Sequence, residues 1–447
     1  MASADSEFRD ATDLESVVDG GLAARQDISS SREECIPDGG YGWVIVVCIF
    51  ACNAASWGMN TSYGVYLAYY IENSYFEGAS QLGYAFVGGL SVACAYGSAP
   101  LVNFLVGKTG LRPPMILGMI FVSLGQCLAA LSRKFGAFIF FQGVMFGLGK
   151  SNLLTPGRAT QPLLSHWFDK RLSLAQGITS CGSGFGGLIL ANTTRATLAS
   201  VGLQNTLIIN GCISCIVLLP SIFLIKARKM QVAPRIEPLQ FRWLWHRNFL
   251  FVWTWGATGV MGYFIALYSL ASYATDGLGL SQTEGAALQS ILSAGQVIGR
   301  PLLGMTFDKA GRFNMATLAT LLAGVTCVAI WLPSRSFAVL VVFSVIQGAV
   351  GGTAICITAP IATSAVGLLD VGSALAMFWL MTVVPSLAAQ PIAVLLINYS
   401  RQSLGREGAD AYAISIGFCG ALFCLSGVMI FGAKVRLQGN FKLLKKT

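Results

Sequence analysis

The sequence predicts an all-α membrane protein of twelve transmembrane helices in two six-helix halves, and three observations predict it. First, hydrophobic residues make up 54% of the 447-residue chain and charged residues 11%, with a mean hydropathy of +0.65. A soluble domain carries roughly 25% charged residues. Second, apolar runs of about the 20 residues needed to cross a bilayer recur along the chain. They fall at 43–70, 82–105, 113–132, 136–157, 172–194, 206–226, 249–272, 284–306, 314–332, 336–358, 371–398 and 411–433. Third, the second half echoes the first. Pro100-Leu101, then Gly107-Lys108-Thr109-Gly110-Leu111-Arg112, returns as Arg300-Pro301-Leu302-Leu303-Gly304, then Asp308-Lys309-Ala310-Gly311-Arg312. Gln142-Gly143 with Gly147 likewise returns as Gln347-Gly348 with Gly352. Two parallel halves of apolar helices mark a secondary transporter whose substrate site lies between them.

In chain order, residues 1–41 are polar and lack an apolar run, which predicts a disordered cytosolic tail without a cleaved leader. A first six-helix bundle follows over 42–226, with the run at 43–70 as insertion signal. Its runs are separated by Lys108 and Arg112, by Arg133 and Lys134, by Arg158, Lys170 and Arg171, and by Arg195. The one sizeable break, 227–248, carries Lys229, Arg235, Arg242, His246 and Arg247 and reads as the linker between halves. The second bundle spans 249–433, interrupted by Lys309 and Arg312, Arg335, and Arg401 and Arg406; a basic tail, 434–447, closes the chain. With both termini cytosolic, cytosolic Lys and Arg outnumber those opposite by about three to one, the bias expected of a correctly oriented protein.

The net charge of +9 resides in these short loops, so it sets topology and does not point to nucleic acid. Most cysteines lie within apolar runs and read as small packing residues; Cys212-x-x-Cys215 has no second pair to complete a metal site. Gly182-Ser183-Gly184-Phe185-Gly186-Gly187 has the spacing of a dinucleotide fingerprint, yet it sits in an apolar run with no preceding strand. Its small residues suit close helix packing. The two histidines, His166 and His246, fall in loops and form no nucleophile–base constellation. Neither an enzyme, a metal nor a cofactor is expected.

The candidate site residues are the polar groups at helix depth. Arg300 lies about two turns inside a helix end, where a guanidinium is costly enough to mark function and its planar fork suits a carboxylate. Gln296 shares its helix face and could hydrogen-bond the same ligand but cannot titrate. Lys150 is the other deep cation, for which snorkelling to the interface and substrate binding both stand. Asn60, Thr61, Asn152, Tyr263, Trp379 and Gln390 complete the set, each readable as helix–helix glue or as ligand contact. The turn Asp308-Lys309-x-Gly311-Arg312 reads as a gating latch, with Asp308 facing the positive end of a neighbouring helix; Lys108 and Arg112 form its acid-free counterpart.

Asp38-Gly39-Gly40-Tyr41-Gly42-Trp43 resembles the acidic-Gly-Gly-aromatic-Gly-Trp signature of the monocarboxylate transporter family within the major facilitator superfamily. Trp167-Phe168-Asp169-Lys170-Arg171, with Ala175, Gly177, Gly182 and Ser183 beyond, resembles that family's second signature. Asn60-Thr61-Ser62-Tyr63-Gly64-Val65 looks closest to fungal members. The resemblance spans about 38–433 and implies the major facilitator fold, alternating access and a midplane substrate site. In the family's animal lactate carriers, a helix-one lysine and an Asp/Arg pair in helix eight are held to bind proton and carboxylate. Here Arg300 stands at the arginine position, Gln296 at the aspartate position and Thr61 at about the lysine position. The resemblance thus implies a small organic, anionic or monocarboxylate-type solute, with proton symport and an accessory membrane protein left open. A larger metabolite, taken up as a riboflavin-like solute or exported as a secondary metabolite, is the alternative. The bilayer of the plasma membrane is the family's default location.

Overall fold

The computed structural model describes residues 38–73, 75–76, 79, 81–154, 163–164, 167–226, 243, 245–367 and 370–438. The expected N-terminal tail up to Pro37, most of the linker and the chain beyond Gln438 lie outside the described residues.

Among the described residues the main helical segments group into twelve helices. In the first half they are α1 (42–72), α2 (81–109, bent by 44° between Gly97 and Ala99), α3 (Arg112–Ala130), α4 (135–154), α5 (172–201) and α6 (203–224). The second half holds α7 (Arg247–Gly277), α8 (Gln282–Ala310), α9 (Arg312–Trp331), α10 (Phe337–Val366), α11 (Val371–Leu404) and α12 (Ala413–Gln438). Several helices outrun the apolar stretches that predict them, α5, α7 and α10 most, because a helix continues past the point where its side chains stop being apolar. Lys434 and Arg436 accordingly lie within α12 rather than in a tail. Among the described residues, eight helical stretches are long and apolar enough to cross a membrane, with α5 and α6 counted as one stretch. α8 is more polar than these: Gln282 and Glu284 sit at its exposed, capped start, and Gln296 and Arg300 are buried along its length.

Backbone geometry repeats between the halves as the sequence does. α2 ends on Gly110 at φ 83° and α8 on Gly311 at φ 95°, a region that a side chain rarely tolerates. Gly202 (φ 76°) separates α5 from α6, and Gly405 (φ 61°) ends α11 at the matching place. The first glycine of each Gln-Gly motif packs on the second helix of its half: Gly143 of α4 on Leu90 and the Val87 carbonyl of α2, and Gly348 of α10 on the Leu292 carbonyl of α8.

The glycine run of α5 is a packing surface. A Cβ at Gly182 or Gly186 would collide with the carbonyls of Phe50 and Ala54 in α1, and one at Gly184 would meet Ser293 and Gln296 of α8. Backbones approach this closely in a bilayer only where side chains are absent. The outer surface is apolar: Val47, Leu101, Ile216, Val384 and Leu395 are 64–72% exposed, as lipid contact allows.

Candidate substrate site

Between the halves lies a cavity of about 80 Å³, counted as space open to the centre of a water molecule. α1 contributes Trp57, Asn60 and Thr61; α4 contributes Lys150 and Ser151; α5 contributes Gln176, Ser180 and Ser183. The second half supplies Tyr263 and Phe264 from α7, Arg300 from α8 and Trp379 from α11. A widened π turn at Ala54–Gly58 interrupts α1 just before Asn60 and includes Trp57; such turns re-aim the side chains that follow.

The two cations are the site's dominant feature. Lys150 is fully buried, and its ammonium donates to Asn60 Oδ1 at 2.8 Å and Ser91 Oγ at 3.0 Å. It lies over the rings of Trp57 and Phe146 at 4.8 and 5.0 Å. Asn60 in turn donates through Nδ2 to the Tyr268 hydroxyl at 3.2 Å, a bond from first half to second. Arg300 is 3% exposed and reaches into the first half, Nη1 donating to the Ser180 carbonyl at 2.6 Å and Ser183 Oγ at 2.7 Å. Its Nη2 makes a long 3.4 Å bond to the Tyr263 hydroxyl, and its Nε has no hydrogen-bond partner. Gly352 leaves room for the guanidinium, since a Cβ there would lie 2.8 Å from Nη2. Neither cation snorkels. No acidic side chain lines the cavity among the described residues.

Of the expected site residues, Lys150, Asn60, Thr61, Tyr263, Trp379 and Arg300 converge on this cavity. Gln296 and Asn152 do not line it. Gln296 is fully buried, its amide atoms without a hydrogen bond, and packs against the face of α5 that carries Gly184. Asn152 turns to α3, its Cβ closing on Gly118 and its Nδ2 donating to the Leu148 carbonyl. Gln390 is partly buried and also outside the lining. Sequence reasoning missed Trp57, Tyr96, Gln176, Ser180 and Ser183. Only Ser183 stood within a recognised motif; serine and glutamine in apolar helices otherwise give no directional signal.

At one end of the bundle, the loop entering α5 is gripped by two carboxylates. Asp308 of α8 accepts the Ser173 amide through Oδ1 at 3.1 Å and the Leu174 amide through Oδ2 at 2.9 Å, capping α5 from the other half. Arg312 donates to the Asp169 carbonyl at 3.1 Å, and Lys309 is exposed. Asp38 Oδ1 accepts the Asp169 amide at 2.8 Å and the Arg171 amide at 3.3 Å. The two motifs at 38–43 and 167–171 therefore pack together. Gly39 and Gly40 form the turn, and Trp43 meets Phe168 edge-on at 5.0 Å. The Lys170 and Arg171 side chains are exposed. In the acid-free counterpart, Arg112 only reaches the Phe223 carbonyl within its own half at 3.4 Å, and Lys108 lies over Phe104.

A family model described as the Major Facilitator Superfamily matches residues 46–390. The chain belongs to that superfamily. This facilitator is 30% identical over 407 residues to the probable transporter MCH2 of Saccharomyces cerevisiae, covering 89% of this chain and 84% of the relative. It is 26% identical to monocarboxylate transporter 10 of Danio rerio, covering 92% and 83%, and 24% identical to the fujikurins efflux protein of Gibberella fujikuroi, covering 91% and 87%. The fold of this facilitator also matches the crystal structure of the human organic anion transporter MFSD10, at a TM-score of 0.64 and 13% identity, over 88% of this chain and all of the other. The chain is a multi-pass membrane transporter of this superfamily, and its kinship with fungal and monocarboxylate-type members stands.

Proposed function

We propose that this transporter carries a small organic anion of carboxylate type by alternating access. The observation that carries the reading is a pair of buried cations, one from each half, in a cavity whose described lining has no acid. A buried charge without a partner is costly, so the site is complete when an anion occupies it. Arg300 and Lys150 attract the solute, while Asn60, Thr61 and Tyr263 orient it. Gln296 lies outside the cavity lining, and an amide cannot carry a proton. The cavity volume favours a solute of few heavy atoms.

The basic loops support a cytosolic Asp308 end and cytosolic termini, with the plasma membrane as the expected site. Among the described residues, hydrogen bonds between halves occur at that end and around the cavity and none at the opposite end. That pattern fits a state closed to the cytosol, with Asp308 as its latch. Asp308→Asn keeps one acceptor but loses the charge that faces the α5 terminus, an effect of about 1–2 kcal/mol. It is expected to shift the balance toward the inward-open state about tenfold. Cysteine-accessibility labelling of probes placed at each mouth, in a cysteine-free background, measures this; identical labelling would leave Asp308 a topological charge.

Uptake into proteoliposomes of labelled lactate, pyruvate, acetate and short dicarboxylates, with and without an inward proton gradient, tests the reading. Accumulation of any of these acids supports it. A second reading, export of a larger metabolite, is favoured by the aromatic wall of Trp57, Tyr96, Phe264 and Trp379 and by the efflux protein among the relatives. It gains if none of the acids moves.

A further inference from the structure

We infer that the solute carries two negative groups, one received by Lys150 and the other by Arg300, an inference that rests on the anion reading above. Each half contributes one buried cation to one cavity, and no described lining residue offsets either charge. A monoanion would neutralise one and leave the other bare in a low-dielectric site. A dianion neutralises both and spans the two halves.

The unused hydrogen-bonding capacity points the same way. Lys150 has three N–H donors, and its two hydrogen bonds go to Asn60 and Ser91. Arg300 Nε and Trp379 Nε1 are buried without partners, and Nη2 of Arg300 is weakly engaged at 3.4 Å. Donors gathered on two sides of a cavity call for a ligand of acceptors, and ionised carboxylates are acceptors only. The volume of about 80 Å³ has room for roughly five to eight waters, which suits a chain of about four carbons. The class is a short dicarboxylate.

The test compares uptake of succinate, malate and fumarate with that of lactate and pyruvate by the full chain in proteoliposomes. Dicarboxylates are expected to enter at least about tenfold faster at equal concentration. Lys150→Gln removes one of the two charges, so it should collapse the dicarboxylate-to-monocarboxylate ratio to about one. Lys150→Arg, which keeps the charge, should preserve the preference and shows that a loss in Lys150→Gln is not a folding defect. Uptake of monocarboxylates with dicarboxylates excluded overturns the inference while leaving the anion reading intact. A ratio unchanged in Lys150→Gln overturns it as well. Failure of every acid to enter overturns both readings.

Discussion

Replacing Arg300 by glutamine is expected to lower uptake of the anionic solute about a hundredfold or more, the scale of losing one partner of a buried charge pair. Membrane insertion should change little, because the substitution removes a charge from a membrane-spanning helix. The loss follows from geometry. Arg300 is 3% exposed and donates across the interface between halves, so the solute meets it only after entering the cavity. Glutamine is shorter and uncharged; it can neither reach the solute with a fork of donors nor balance its charge. Arg300→Lys should recover part of the rate, since it restores charge without the fork. Initial uptake rates across a concentration series decide the matter. An unchanged rate in Arg300→Gln would reduce Arg300 to a structural strut between α8 and α5.

The second large effect is on folding. Gly186→Leu is expected to abolish the monodisperse, folded protein, whereas Gly64→Ala is expected to be nearly silent. A Cβ at Gly186 would overlap the backbone carbonyl of Ala54, and backbone cannot rotate away as a flexible side chain can. α5 and α1 would have to separate along a face where Gly182 makes the same close approach to Phe50. Overpacking in a well-ordered core costs about 1–3 kcal/mol even when side chains can adjust, and here they cannot. At Gly64 an added Cβ meets nothing within 4 Å. Fluorescence-detected size-exclusion profiles and melting temperatures compare the two variants directly; a normal profile for Gly186→Leu would show that α1 and α5 are not in fixed register.

The fold was legible in the sequence because bilayer crossing leaves a composition signal that tertiary contacts cannot erase. The twofold repeat was legible because Gly110 and Gly311 must each adopt a positive φ, which keeps glycine at both places. Arg300 and Lys150 stood out because a cation at helix depth needs a reason. Asn152 lies outside the cavity lining for a physical cause. Depth along a helix can be counted from sequence, but whether a residue faces the cavity or its neighbour depends on helix rotation. The wide π turns at Ala54–Gly58 in α1 and Ile139–Met145 in α4 alter that rotation upstream of Asn60 and Asn152. Ser180 and Ser183 were hard to see for a related reason. Their role depends on Arg300 arriving from a helix more than a hundred positions away.

The double grip on the loop entering α5 bears on how readily the carrier returns. Asp38 belongs to the same half as Asp169 and Arg171, so its hold on their amides persists whatever Asp308 does. Under the alternating-access reading proposed above, the loop leading into the Ser173 and Leu174 amides stays held by Asp38 when the halves part, so Asp308 docks again on a segment already ordered. The entropy of arranging those amides is spent once, during folding, and not on every cycle. The cost of closing is then set by water leaving one carboxylate and one helix terminus. Closure is a docking step between two finished surfaces, and its rate should follow solvent viscosity more than the stability of the loop.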